Sequence, residues 1–187
     1  RPTKVQALAE YLCAETDLPV LWPQQALREA AQSRQVYYKY DTHWNEAGAY
    51  LAASELLRML GQPAVPFGQA VFEADVAARA PADLANVSGA WALCVDDVYY
   101  TAELPRGVCT LAEGGGNITR WQGGGEGGLL LIRDSFGEAL APFLTADFAW
   151  GLALHGSALP PGALLDELDA LPAFPEVVVL EVAERFS

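Results

Sequence analysis

Four consecutive apolar residues, Leu129, Leu130, Leu131 and Ile132, stand out from the mixed pattern around them. A run without polar alternation predicts a strand buried on both faces, as in the middle of a parallel sheet. Arg133 and Asp134 end the run, Ser135 takes the turn, and Phe136, Leu140, Phe143 and Leu144 then recur at helical spacing. Residues 149–154 form another apolar run, closing at His155. Residues 164–171 have helical spacing, and 177–182 read as a β-branched strand that contains Glu181. Strand, helix, strand, helix, strand is the pattern of parallel strands joined by helical crossovers.

The first third of the chain is helical instead. Val5, Leu8 and Leu12 share a helix face, 18–22 is a short extended segment, and 23–32 reads as a helix with Pro23 in its first turn. Aromatic residues at 37, 38 and 40 lead into a polar turn. A helix follows, with Tyr50, Ala53, Leu57 and Leu60 on one face, Asn45 as its N-cap, and Gly61 and Pro63 as its stop. Between 62 and 121 the pattern is weaker, with a short helix in 81–87 and short strands at 92–95, 98–100 and 108–111. The expected architecture is one α/β domain over 1–187, a three-layer sandwich with a mainly parallel central sheet. Strands 129–132 and 177–182 should both be buried and central. An α/β unit usually starts with a strand, so a further strand is expected upstream of Arg1.

Composition narrows the functions open to such a domain. Of 187 residues 52% are hydrophobic and 19% charged, an ordinary globular balance. Eleven basic against twenty-four acidic residues give a net charge of −13, which repels nucleic acid and anionic membrane. No apolar run is long enough to cross a bilayer. Cys13, Cys94 and Cys109 form no metal-ligand spacing with either histidine. Cys94 and Cys109 flank a plausible hairpin and are expected to be neighbours, while all three cysteines read most simply as small buried residues. The glycine clusters at 114–116 and 123–128 precede a strand and lack a following Lys-Ser/Thr, which excludes a P-loop.

Candidate chemistry sits at the strand ends. Ser135 is either a helix N-cap or a nucleophile whose product oxyanion faces backbone N–H groups. Asp41 and His43 lie on the loop before a helix. A carboxylate two residues from an imidazole can fix its tautomer and leave the other nitrogen as a base. His155 is a rival base without a carboxylate nearby in sequence, and Glu181 is a third polar group at a strand end. Trp44, Tyr38, Tyr40, Trp121 and Trp150 could stack on sugar rings or serve as packing. Arg133 is set to pair with Asp134 or another carboxylate.

The stretches Tyr40-Asp41-Thr42-His43-Trp44-Asn45-Glu46-Ala47-Gly48-Ala49 and Leu131-Ile132-Arg133-Asp134-Ser135-Phe136-Gly137 resemble the alginate O-acetyltransferase group of SGNH hydrolase-like proteins. The ending, Val177 to Glu184-Arg185-Phe186, is similar to the closing strand of that family. The resemblance implies an SGNH hydrolase-like fold and an extracytoplasmic protein, often behind an N-terminal anchor. It also implies acetyl transfer to, or removal from, polysaccharide hydroxyls. At matching positions it makes Ser135 the nucleophile, His43 the base and Asp41 the carboxylate that orients it. Asn117 is the candidate second oxyanion donor, and Trp44, Tyr40 and Arg133 are candidate substrate contacts. The implied partners are a polysaccharide and an acyl donor or acyl-donating protein, with neither cofactor nor metal. The usual SGNH glycine and asparagine blocks are not recognisable. Alternatives are a catalytically idle carbohydrate-binding relative, an adaptor in an exopolysaccharide assembly, and a metal site on Asp41 and His43. The net charge favours a neutral or cationic glycan over a polyanionic one.

Overall fold

The structure, a computed structural model, describes residues 3–64, 66–74, 83–90, 100–102, 108–111, 116–144 and 146–183. The helices are α1 (Lys4–Glu15), α2 (Gln24–Ala30), α3 (Glu46–Met59), α4 (Asp83–Val87), α5 (Ala141–Leu144) and α6 (Pro161–Asp169). The strands are β1 (Phe72–Ala74), β2 (Tyr100–Ala102), β3 (Val108–Leu111), β4 (Ile118–Gln122), β5 (Gly128–Arg133), β6 (Trp150–His155) and β7 (Val177–Leu180). β1 and β2 form a separate antiparallel pair, and the other five form one sheet in the order β3-β4-β6-β5-β7.

The α/β class holds, but the sheet is mixed rather than mainly parallel. β6, β5 and β7 run parallel, while β3–β4 and β4–β6 are antiparallel. Parallel neighbours need a crossover, which α5 and α6 supply; no helix intervenes among the described residues between β3 and β4. β5 alternates its apolar side chains between two cores. Leu129 and Leu131 pack with α3, and Leu130 and Ile132 with Leu164 and Leu168 of α6. Helices therefore lie against both faces. α3 is buried almost all round, and its Gly48 is dictated by packing, because a Cβ there would lie 2.2 Å from the Val36 carbonyl oxygen.

β7 corrects the second strand expectation. Among the described residues it lies at the end of the sheet, outside β5. Val177 and Val179 reach the α3 side of the core, but Val178 and Leu180 on the opposite face are 59% and 72% exposed. A β-branched run looks the same whether one face or both are covered, and α6 covers β5 and β6 but not this strand.

The segment after Ser135 is a second correction. Instead of one helix there is a 3-10 turn (Gly137–Ala139) and then the single turn of α5. Pro142 has no N–H to donate back along a continuous helix, so the apolar spacing survives while the helix is interrupted. α1 forms with a Thr3–Gln6 capping box, yet none of its residues is buried. Strand 92–95 and Cys94 lie outside the described residues, and with them the expected Cys94–Cys109 neighbourhood; Cys13, expected to be buried, is instead a free, exposed thiol on a helix with no buried residue. The closing residues 184–186 also lie outside them. Among the described residues no helix is long and apolar enough to cross a membrane.

Candidate active site

The loop before α3 folds back on itself. Tyr37 and Trp44 form an isolated antiparallel bridge, and the Tyr38 N–H donates to the His43 carbonyl at 3.2 Å. Asn45 closes the loop from both sides. Its side-chain oxygen accepts the Gly48 N–H at 3.1 Å as the expected N-cap, and its Nδ2 donates to the Gln35 carbonyl at 2.8 Å. Within this frame Asp41 is 6% exposed. Its Oδ1 accepts the His43 backbone N–H at 2.9 Å and lies 2.6 Å from His43 Nδ1. With Asp41 ionised, Nδ1 carries the proton and Nε2 is left as an acceptor. Nε2 lies 2.7 Å from Ser135 Oγ, a residue 92 positions away in the chain.

The turn presenting Ser135 is held by carboxylates. Asp134 Oδ1 accepts the Phe136 N–H at 2.8 Å and Oδ2 the Ala183 N–H at 2.7 Å. Glu181 Oε2, just past β7, accepts the N–H groups of Asp134 and Gly137 at 3.1 and 3.0 Å. Asp134 thus does the capping that a serine might have done, and the Ser135 hydroxyl is turned to the imidazole. Gly137 is required by this arrangement, since a Cβ there would sit 2.5 Å from Arg133 Cβ and 2.8 Å from Glu181 Oε2. Burial, and then the neighbouring Asp134 carboxylate, push the Glu181 carboxyl up to about 7. Below the turn Arg133 is 2% exposed, donating to the Asp134 carbonyl at 3.0 Å and to the Gly116 carbonyl. Burial pulls the Arg133 guanidinium below its usual value, while Glu138, Glu181 and Asp134 oppose that effect. Trp44 locks loop and turn together. Its indole N–H donates to the Phe136 carbonyl at 3.1 Å, and the Phe136 ring lies 4.8 Å from His43 and 5.3 Å from Trp44.

His43 and Ser135 open onto a groove of about 470 Å³ whose walls include Tyr38, Glu46, Glu138 and Phe143. Of the candidate substrate contacts, Trp44 forms part of the wall but is 8% exposed and committed to Phe136. Tyr40 is half-buried outside the groove lining, and its carbonyl receives the N–H groups of Leu84 and Ala85. Arg133 cannot reach a ligand from beneath the turn; the charge pattern in sequence does not reveal that its side chain points inward. Asn117 lies before β4, accepts the His155 N–H at 2.8 Å through its carbonyl, and does not line the groove. His155 sits at the end of β6 with Nδ1 3.5 Å from Ser157 Oγ, so it is not the histidine at Ser135. Trp121 is buried in the core. Asp41, His43 and Asp83 offer three ligand-type atoms within 4.8 Å of one another. These atoms already hydrogen-bond one another, Thr42 and backbone N–H groups, which favours an oriented imidazole over a metal centre. Asp83 carries no signal in its local sequence; Glu181 was visible only as a polar residue at a strand end.

A sheet with helices on both faces and a serine, a histidine and a carboxylate gathered beside a strand end define an α/β domain with a hydrolase-like side-chain cluster. More narrowly, the chain belongs to the family described as SGNH hydrolase-like domain, acetyltransferase AlgX, which matches residues 2–96. That stretch contains Asp41 and His43 and ends before Ser135. Similar solved structures include a DHHW family protein from Eubacterium siraeum (15% identity, TM-score 0.58, covering 85% of this chain and 62% of that one). Another is Bacillus cereus PatB1 with a sulfonyl adduct (13%, 0.64, 98% and 74%). A third is the O-acetyltransferase domain of Pseudomonas putida AlgJ (22%, 0.51, 100% and 68%). At these identities the likeness establishes the fold alone. The chain spans 62% of the first of these proteins. Among curated proteins there is no match.

Proposed function

We propose that the groove is an acyl-transfer site in which Ser135 is the nucleophile, His43 the general base and Asp41 the carboxylate that orients it. The observation that carries this reading is the continuous contact from Asp41 Oδ1 to His43 Nδ1 (2.6 Å) and from Nε2 to Ser135 Oγ (2.7 Å). His43 takes the proton as Ser135 Oγ bonds to an acetyl carbonyl carbon, and Asp41 stabilises the imidazolium. The tetrahedral intermediate collapses with loss of the donor's leaving oxygen, which takes the proton back from His43. The acetyl-enzyme is then attacked by a hydroxyl of a polysaccharide, or by water in the esterase variant, with His43 again as base. Membership of a family described as an acetyltransferase supports acetyl as the acyl group; a glycan acceptor and an extracytoplasmic setting follow from the resemblance to the alginate O-acetyltransferase group. With Asn117 outside the groove lining, the Ser135 backbone N–H remains the oxyanion donor of this scheme.

The test is intact-protein mass spectrometry after incubation with p-nitrophenyl acetate, comparing wild type with Ser135→Ala. One added acetyl group that maps to Ser135 and vanishes in the variant is expected; equal labelling of both proteins overturns the reading. A sulfonyl fluoride, which reacts with an activated serine, should block the same residue. Adding neutral, cationic and uronate oligosaccharides to the acetyl-enzyme then separates transfer from hydrolysis.

A further inference from the structure

We propose that Asp83 is a positioning residue for the Asp41–His43 pair, clamping its loop and placing a second negative charge beside the imidazole. The inference rests on Ser135, His43 and Asp41 being the catalytic unit. Asp83 opens α4, 42 positions from Asp41, and its own backbone N–H donates to Asp41 Oδ2 at 2.8 Å. Both oxygens of the Asp41 carboxylate are thereby engaged, one by His43 and one by Asp83, so the carboxylate cannot rotate away from Nδ1 without losing a bond. The Asp83 carboxylate grips the residue between them. Oδ1 accepts the Thr42 N–H at 2.8 Å, and Oδ2 accepts the Thr42 hydroxyl at 2.5 Å. The next two N–H groups of α4, from Leu84 and Ala85, both point at the Tyr40 carbonyl. Three successive residues of the catalytic loop are therefore held from one short helix. Asp83 Oδ2 also stands 3.9 Å from His43 Nδ1, so two carboxylates face the nitrogen that carries the proton. Burial acts to raise the Asp83 carboxyl. The Thr42 hydrogen bonds, the Leu84 N–H and the nearby imidazole outweigh it and hold the group below its ordinary value, ionised at neutral pH. A negative charge here favours the imidazolium formed when Ser135 loses its proton.

The experiment follows the imidazole resonances of the two histidines by NMR through a pH titration of wild type, Asp83→Asn and Thr42→Val, with far-UV circular dichroism as the check on folding. Asp83→Asn removes the charge but keeps an acceptor for the Thr42 N–H. His43 should titrate about half a pH unit lower in this variant, the scale of one partly screened charge about 4 Å away. His155, at the end of β6, is the internal reference and should not move. Glu46, Glu138 and Tyr38, the other ionisable groups in the groove lining, are common to all three proteins. The acid limb of the pH–rate profile for p-nitrophenyl acetate should shift by the same amount, with KM unchanged. Thr42→Val loosens the clamp without altering charge. It should lower kcat several-fold and leave the His43 midpoint in place, and it carries the test if Asp83→Asn does not fold. A folded Asp83→Asn whose His43 midpoint matches wild type overturns the charge role, and a Thr42→Val with wild-type kcat overturns the clamp. The NMR readout needs no turnover. A shifted midpoint without labelling of Ser135 would defeat the proposed function alone, while labelling with an unshifted midpoint would defeat this inference alone.

Discussion

The loop carrying His43 is held by a neutral Asn45 frame on one side and the Asp83 carboxylate on the other, whereas the turn carrying Ser135 is held mainly by charged groups. In the loop, the Asn45 amide and the backbone bonds between 36–38 and 43–45 set the frame on which Asp41 sits. In the turn, Asp134 and Glu181 accept four N–H groups between them, with the buried Arg133 guanidinium beneath. The difference follows from location. The loop leads into α3, whose N-terminus needs an uncharged or acidic cap and finds it in the adjacent asparagine. The turn closes over the end of the parallel strands β5, β6 and β7, where several N–H groups converge and carboxylates answer them at the cost of desolvation. The Asn45 bonds, made to neutral partners, should ignore pH, and a frame built on a carboxyl raised to about 7 should not.

The largest effect should fall where the two segments meet. Ser135→Ala and His43→Ala should each reduce esterase activity by about 10³-fold or more, and the double variant should be no worse than either, because they act as a unit. Independent, additive losses would separate loop from turn. Arg133→Gln should come next, costing about 3 kcal/mol in urea unfolding, because it removes the buried charge that faces Glu138, Glu181 and Asp134 and the donors to the Asp134 and Gly116 carbonyls. A loss under about 1 kcal/mol would mean that the turn does not depend on charge.

Glu181 sharpens the contrast through pH. Its folded-state value, about 7, lies above the ordinary 4.5, so the folded protein holds this proton more tightly than the unfolded chain. Its contribution is therefore fully present below the unfolded value and is lost as pH rises through about 7. Glu181→Gln should remove that decline, gaining on the order of 2 kcal/mol relative to wild type on going from acid to alkaline pH. Thermal unfolding of both proteins across that range is the measurement, and parallel curves would reject the assignment. Asn45→Ala should cost about 1–2 kcal/mol at every pH, since it deletes a cap whose partners are all neutral. Trp44→Phe should be the mildest, about 1 kcal/mol from the lost bond to the Phe136 carbonyl. Its kcat should fall more than its stability suggests, because that bond joins loop to turn.

What could be read from the chain alone is what neighbouring residues decide among themselves. Leu129 to Ile132 announce a strand covered on both sides, Asn45 announces its cap, and Asp41 stands two residues from His43, within bonding reach of its imidazole. These features depend on backbone periodicity and on hydrogen bonds between near neighbours, so a short window contains all of their causes. Tertiary structure alone decided whether a hydrophobic strand would be central or terminal, because Val177 to Leu180 pair with β5 on one side and, among the described residues, with no strand on the other. It decided that Arg133 would turn inward and Trp121 join the core. It also brought Ser135 to His43 across 92 positions and Asp83 to Asp41 across 42. Such meetings are set by how the sheet orders its strands and where each crossover returns the chain, and no local spacing encodes that order.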